Sequence, residues 1–172
     1  SPHTRPDAII GVSTLLIQVL KELETFLHED TPVYILETQE KLDTYLADEG
    51  IQEEIQKITN VRLEWIPSDI DHYNSLYEFM SAPEHREIRS AIILSDNLFV
   101  DENLSKQEQK EVADSLTISR LLSLRKIQAD LMPELFITCE MNYDENKNLA
   151  ERTGSEDYIV GSNVAASVMT QI

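Results

Sequence analysis

The sequence predicts a doubly wound α/β sheet of about six parallel strands with helices on both faces. Three observations predict it. Strand-like apolar runs alternate with helix-like stretches along the chain: Ala8-Ile9-Ile10-Gly11-Val12, Val33-Tyr34-Ile35-Leu36, Val61-Arg62-Leu63-Glu64-Trp65, Ala91-Ile92-Ile93-Leu94 and Leu135-Phe136-Ile137-Thr138-Cys139. The runs at 8–12 and 91–94 are almost wholly apolar, as strands covered on both faces must be. A glycine turn follows the first run, where such sheets place their ligand loop.

The elements follow in order. After strand 8–12, Leu15, Leu16, Val19, Leu20, Leu23, Phe26 and Leu27 keep helical spacing, with Gln18, Lys21, Glu22 and Glu24 off the stripe. Glu29-Asp30-Thr31-Pro32 ends that helix, and strand two runs from Val33 to Leu36. Leu42, Tyr45 and Leu46 mark a second helix, with Gly50 as its expected stop. Ile51, Ile55 and Ile58 predict a short further turn of helix. Val61, Leu63 and Trp65 alternate with Arg62 and Glu64, which places strand three at a wetter sheet edge. Tyr73, Leu76, Tyr77 and Met80 give a further amphipathic helix, and Ala91 to Leu94 give strand four.

An acidic loop spans Asp96 to Glu102, and Ser105 with Glu108 has the spacing of a capping box. It opens a long helix over about 106–130. At 100° per residue, Val112, Leu116, Leu124 and Ile127 share one face, and Ile118, Leu121 and Leu122 fall on the other. A helix with two apolar faces covers the sheet with one and offers the other to a partner or a local loop. Strand five ends at Glu140, a short helix is expected over about 144–152, and Tyr158-Ile159-Val160 reads as strand six. Gly161-Ser162 then opens a last helix through Val164, Val168 and Ile172. Residues 1–6 read as a linker remnant and residues 7–172 as one Rossmann-like domain.

Composition narrows the function. The 32 acidic and 14 basic residues give a net charge of −18, which repels nucleic acid and anionic lipid. The single Cys139 cannot form an internal disulfide. No apolar run reaches the roughly 18 residues of a membrane helix. No G-x-S-x-G, C-x-x-C, H-E-x-x-H or Walker A motif occurs, and none of His3, His28, His72 and His85 falls at an expected strand end.

In such a sheet, ligands bind beyond the carboxyl ends of the strands. That rule selects Gly11 and Ser13, Glu37, Asp69, Ser95 and Asp96, and Glu140 as candidate ligand contacts. The first turn departs from G-x-G-x-x-G, because its three positions are Gly11, Ser13 and Leu16. A missing second glycine hinders approach of a pyrophosphate, which weighs against NAD(H). Asp96, Asp101 and Glu102 lack the spacing and glycine of an EF-hand, so a calcium site there would have to be assembled from separate loops.

Four stretches carry a family resemblance: "AIILSDN" with the acidic loop behind it, "SLTISRLLSLRKIQ", "LFITCEM" and "DYIVGSNVAASVM". Together with the β-α rhythm and the degenerate first turn, they resemble a regulator of K+ conductance (RCK, TrkA-N-like) domain, nearest the Castor/Pollux-type ion channels. The resemblance implies a non-enzymatic domain on the cytosolic side of a cation channel or transporter. It implies self-assembly into dimers and rings, and a nucleotide or calcium ligand that biases the pore of the same full-length protein. It places the assembly surface on the long helix, at Ile118, Leu121 and Leu122. It also implies a final helix that crosses to a partner subunit, and a smaller carboxy-terminal lobe beyond the present chain. The alternatives are an NAD(P)-dependent oxidoreductase and a stand-alone nucleotide-sensing domain.

Overall fold

The computed structural model describes residues 4–143, Asn146, Arg152 and the backbone of residues 157–159. The helices expected over 144–152 and from Gly161 onward lie outside the described residues. The chain forms β1 (Asp7–Ile10), α1 (Leu16–Glu24), β2 (Pro32–Glu37), α2 (Gln39–Leu46), α3 (Glu49–Gln56), β3 (Arg62–Pro67), α4 (Tyr73–Ser81), β4 (Ser90–Ile93), α5 (Lys106–Leu131), β5 (Phe136–Glu140) and β6 (Asp157–Ile159). The strands make one six-stranded sheet in the order β3-β2-β1-β4-β5-β6, and every pairing is parallel. The order reverses between β1 and β4, which is the switch point of a doubly wound sheet.

Alternation along each strand sends side chains to two cores. Ala8, Ile10, Leu36, Ile93, Ile137 and Cys139 meet Leu76 and Met80 of α4 and Leu121, Leu124 and Ile127 of α5. Ile9, Ile35 and Ile92 meet Leu16, Val19, Leu20 and Leu23 of α1 and Leu42 and Tyr45 of α2. Each fully buried Leu or Ile contributes roughly 1.5–3 kcal/mol. Two covered faces explain why the central strands read as continuous apolar runs. The edge strand β3 is half-buried through most of its length and carries the surface pair Arg62 Nε–Glu64 Oε1 at 2.9 Å.

Two local expectations change. Gly50 does not stop a helix. Asp48 caps a new one, its Oδ1 accepting the Ile51 N–H at 3.0 Å, and Gly50 lies in the first turn of α3. A competing N-cap residue two positions earlier decides the matter.

The second change is the phase of α5. Its amino end carries the expected capping box: Ser105 Oγ accepts from Glu108 N at 3.1 Å, and Glu108 Oε1 accepts from Ser105 N at 3.0 Å. Its buried face, however, is Ala113, Asp114, Thr117, Arg120, Leu121, Leu124, Ile127 and Gln128. Leu121 is 0% exposed and belongs to the core, so it cannot serve as an interface residue. Val112, expected on the covered face, is 49% exposed, and Leu122 is 52% exposed. Polar residues facing inward rotate the buried stripe away from the one that the apolar residues alone define.

Candidate functional site

The carboxyl ends of β1, β2, β4 and β5 bring Gly11, Ser13, Glu37, Ser95, Asp96 and Glu140 to one side of the sheet, and all six are buried. Gly11 has φ of 92°, a conformation that favours glycine. Its N–H donates to Leu36 O at 2.8 Å, continuing the β1–β2 ladder into the turn. A Cβ at Gly11 would lie 3.3 Å from Leu94 O and 3.6 Å from Arg120 Nη1. The groups that approach Gly11 closely are the chain's own, the Leu94 carbonyl and the Arg120 side chain.

Arg120 comes from the middle of α5 and is 1% exposed. Its Nε and Nη2 donate to Asp71 Oδ1 and Oδ2 at 2.8 and 3.1 Å, a two-pronged pair that ties α5 to the loop after β3. Asp71 is 41% exposed, so one partner of the pair stays in contact with water. Arg120 Nη1 is buried with no hydrogen-bond partner, and so is Glu37 Oε1.

The amino end of α1 is occupied in the same manner. Asn97 Oδ1 accepts the Thr14 N–H at 3.1 Å, and Asn97 Nδ2 donates to Thr14 Oγ1 at 3.3 Å. Ser13 Oγ accepts the Leu15 N–H at 3.0 Å. These are N–H groups that a bound anion would otherwise use. The acidic loop after β4 thus lies across the start of α1.

The carboxylates are held rather than presented. Glu37 Oε2 accepts the Thr38 N–H at 2.9 Å. Burial pushes the Glu37 carboxyl above its ordinary value, against the pull of that N–H, of Lys41 and of Arg120, while Asp96 pushes upward with burial. Asp96 pairs with Lys41 Nζ at 3.2 Å, and Lys41 also lies over the Phe99 ring. Glu140 Oε1 accepts the Ser95 N–H at 2.8 Å. Burial raises Glu140 too, opposed by the Ser95 N–H and the Ser13 hydroxyl and assisted by Asp114. Ser95 Oγ accepts from Asn142 Nδ2 at 2.8 Å, and Asp114 accepts the Asn142 and Tyr143 N–H groups at 2.8 and 3.1 Å.

The other candidates do not join this cluster. Asp69 is exposed and faces His72 at 3.8 Å. Asp101 and Glu102 are exposed, while Asp96 is buried against Lys41. Among the described residues no group of three or more His, Cys, Asp or Glu could hold a metal ion, so the calcium expectation at Asp96, Asp101 and Glu102 is corrected. Sequence proximity in a loop does not make carboxylates converge, and Lys41 already neutralises Asp96.

Sequence reasoning missed Arg120, Asp71, Asp114 and Lys41. Only Arg120 left a signal: a charge beside Leu121, Leu124 and Ile127 on one helical face.

A parallel sheet in this order, with its switch point between β1 and β4, defines a Rossmann-like doubly wound domain, and solved structures share the fold. The GsuK channel bound to NAD matches with TM-score 0.53 and 11% identity over 92% of this chain and 23% of that one. The TrkA-N domain of inner membrane protein ybaL from Escherichia coli matches with TM-score 0.52 and 11% identity, over 98% and 96% of the two chains. A short-chain dehydrogenase from Oenococcus oeni psu-1 matches with TM-score 0.58 and 15% identity, over 86% and 66%. This chain spans 23–34% of the length of the GsuK chains it matches. At these identities the likeness is one of fold. Neither a protein-family model nor a curated protein sequence matches this chain.

Proposed function

We propose that this chain is a ligand-sensing regulatory domain of a cation or potassium channel or transporter, of the Castor/Pollux type, and not an enzyme. One observation carries the reading: the switch-point crevice is bridged by the chain's own side chains. Asn97 holds the start of α1, Lys41 holds Asp96, and Arg120 reaches over Gly11 to Asp71. Hydride transfer needs a nicotinamide and a substrate side by side, with protein groups positioned on both. Here the buried carboxylates Glu37 and Glu140 are engaged by backbone N–H groups.

The same bridges suit a mechanical role. They join β4 to α1, β4 to α2, and α5 to the loop after β3, so a shift of one element is felt by the others. A ligand with unequal affinity for two arrangements would bias them by that difference. The fold shared with GsuK and ybaL supports a setting beside a membrane. Among the described residues no helix is long and apolar enough to cross one, so the pore is assigned to another part of the full-length protein. Exposed Val112 and Leu122, with half-buried Leu116 and Ile118, give α5 a surface for self-assembly into a dimer or ring on the cytosolic side. The competing oxidoreductase reading has the dehydrogenase likeness in its favour, together with Gly11 and Glu37 in place.

The test is ion flux through vesicles reconstituted with the full-length protein, with and without this domain. A change in open probability on deletion is expected. Unchanged flux, or no flux from the full-length protein, would overturn the reading.

A further inference from the structure

An open cleft of about 400 Å3 lies beside the switch point, on the face of the sheet covered by α1, α2 and α3. Ser13, Thr14 and Ile17 form one wall, Thr44, Tyr45, Asp48 and Ile51 the second, and Leu98 and Phe99 the third. We infer that this cleft binds a small planar aromatic cation.

Shape and chemistry both lead there. The volume falls within the roughly 300–1,000 Å3 of small-molecule sites. Phe99, Ile17 and Ile51 are half-buried and Leu98 is 40% exposed, so the apolar walls stand open rather than closing on one another. Phe99 supplies ring surface for stacking and for cation–π attraction, and the buried Tyr45 lines the cleft beside it. Tyr45 remains a neutral phenol, because burial and then the Asp48 charge push it up to about 12.

The charge of the ligand follows from what lines the walls. Asp48 is exposed, and its Oδ1 accepts the Ile51 N–H. No Lys or Arg lines the cleft. Lys41 lies over the Phe99 ring at 5.3 Å, but its charge is met by Asp96. The Thr14 N–H, which would attract an anion to the start of α1, is taken by Asn97. A net charge of −18 adds a field that favours cations over anions. This inference stands apart from the gating proposal, since binding here does not require that the chain act on a pore.

Three probes share one ring and differ in charge: tryptamine, indole and indole-3-acetate. Each is titrated into the folded chain and followed by amide chemical shifts. Tryptamine is expected to bind at least about fivefold more tightly than indole-3-acetate, with shifts centred on Thr14, Tyr45, Asp48 and Phe99. Asp48→Asn keeps the α3 cap, because Asn serves as well there. It should erase the advantage of tryptamine over indole and leave indole binding in place. Phe99→Ala should weaken all three. Equal affinity for tryptamine and indole-3-acetate, or shifts centred outside the cleft, would overturn the inference. Neither result would alter the outcome of the flux experiment.

Discussion

The helices α1 and α5 cover the sheet from opposite faces beside the same switch point, and they bury different kinds of residue. The buried face of α1 is Leu16, Val19, Leu20 and Leu23. That of α5 mixes Leu121, Leu124 and Ile127 with Asp114, Thr117, Arg120 and Gln128. Each of these polar groups has a structural task. Asp114 accepts from the turn after β5, Thr117 donates to Ala113 O, Arg120 crosses to Asp71, and Gln128 Nε2 donates to Leu135 O. So α1 buries only apolar side chains and ties the loop before β3 with Glu24 at its end, whereas α5 also buries polar side chains that hold the loops at the carboxyl end of the sheet. The lesson is that Arg120, one of the side chains bridging this crevice, comes from the helix whose pattern looks least like a core helix.

Substitutions can break the contrast. Leu121→Asp places an unpaired charge in the core and should cost more than about 4 kcal/mol, leaving no folded species by circular dichroism. A folded monomer would instead return Leu121 to the surface. Leu20→Ala in α1 should cost about 2–5 kcal/mol in urea unfolding, through lost burial and the cavity left behind. Arg120→Met in α5 should cost less than about 1.5 kcal/mol, although both residues are buried. It removes a charge whose Nη1 has no partner, and the Asp71 left behind is 41% exposed and can rehydrate. A larger loss for Arg120→Met than for Leu20→Ala would reverse the comparison.

A smaller effect sharpens the electrostatics at the strand ends. The Glu140 carboxyl is held above its ordinary value of 4.5 in the folded chain. The folded state therefore binds the proton more tightly than the unfolded state, and stability from this group falls as pH rises through the folded value. Glu140→Gln mimics the protonated form. It should melt above the wild type at pH 7, with the gap narrowing as pH falls toward 4.5. A gap that widens on acidification would mean that the charged form is the one the fold stabilises.

Much of the fold was legible because burial on two faces leaves a simple trace. Continuous apolar runs marked β1 and β4, the stripe from Leu16 to Leu23 marked α1, and Ser105 with Glu108 marked the start of α5. The carboxyl ends of β1, β2, β4 and β5 placed Gly11, Glu37, Ser95, Asp96 and Glu140 on one side of the sheet. What bridges that side was not legible. Lys41 reads as an ordinary polar helix residue, because a pair across 55 residues leaves no local pattern. Arg120 was passed over because hydrophobic spacing assigns every charge to water. The acidic loop was over-read, since Asp101 and Glu102 share a loop with Asp96 without sharing a site.

The most direct measurement is a calorimetric titration of NAD+ into the folded wild-type chain. With Asn97 on the start of α1 and Arg120 over Gly11, no saturable binding is expected up to millimolar cofactor. Micromolar binding to the wild type would show that these side chains yield the crevice to a dinucleotide, and would contradict the reading of a site closed from within.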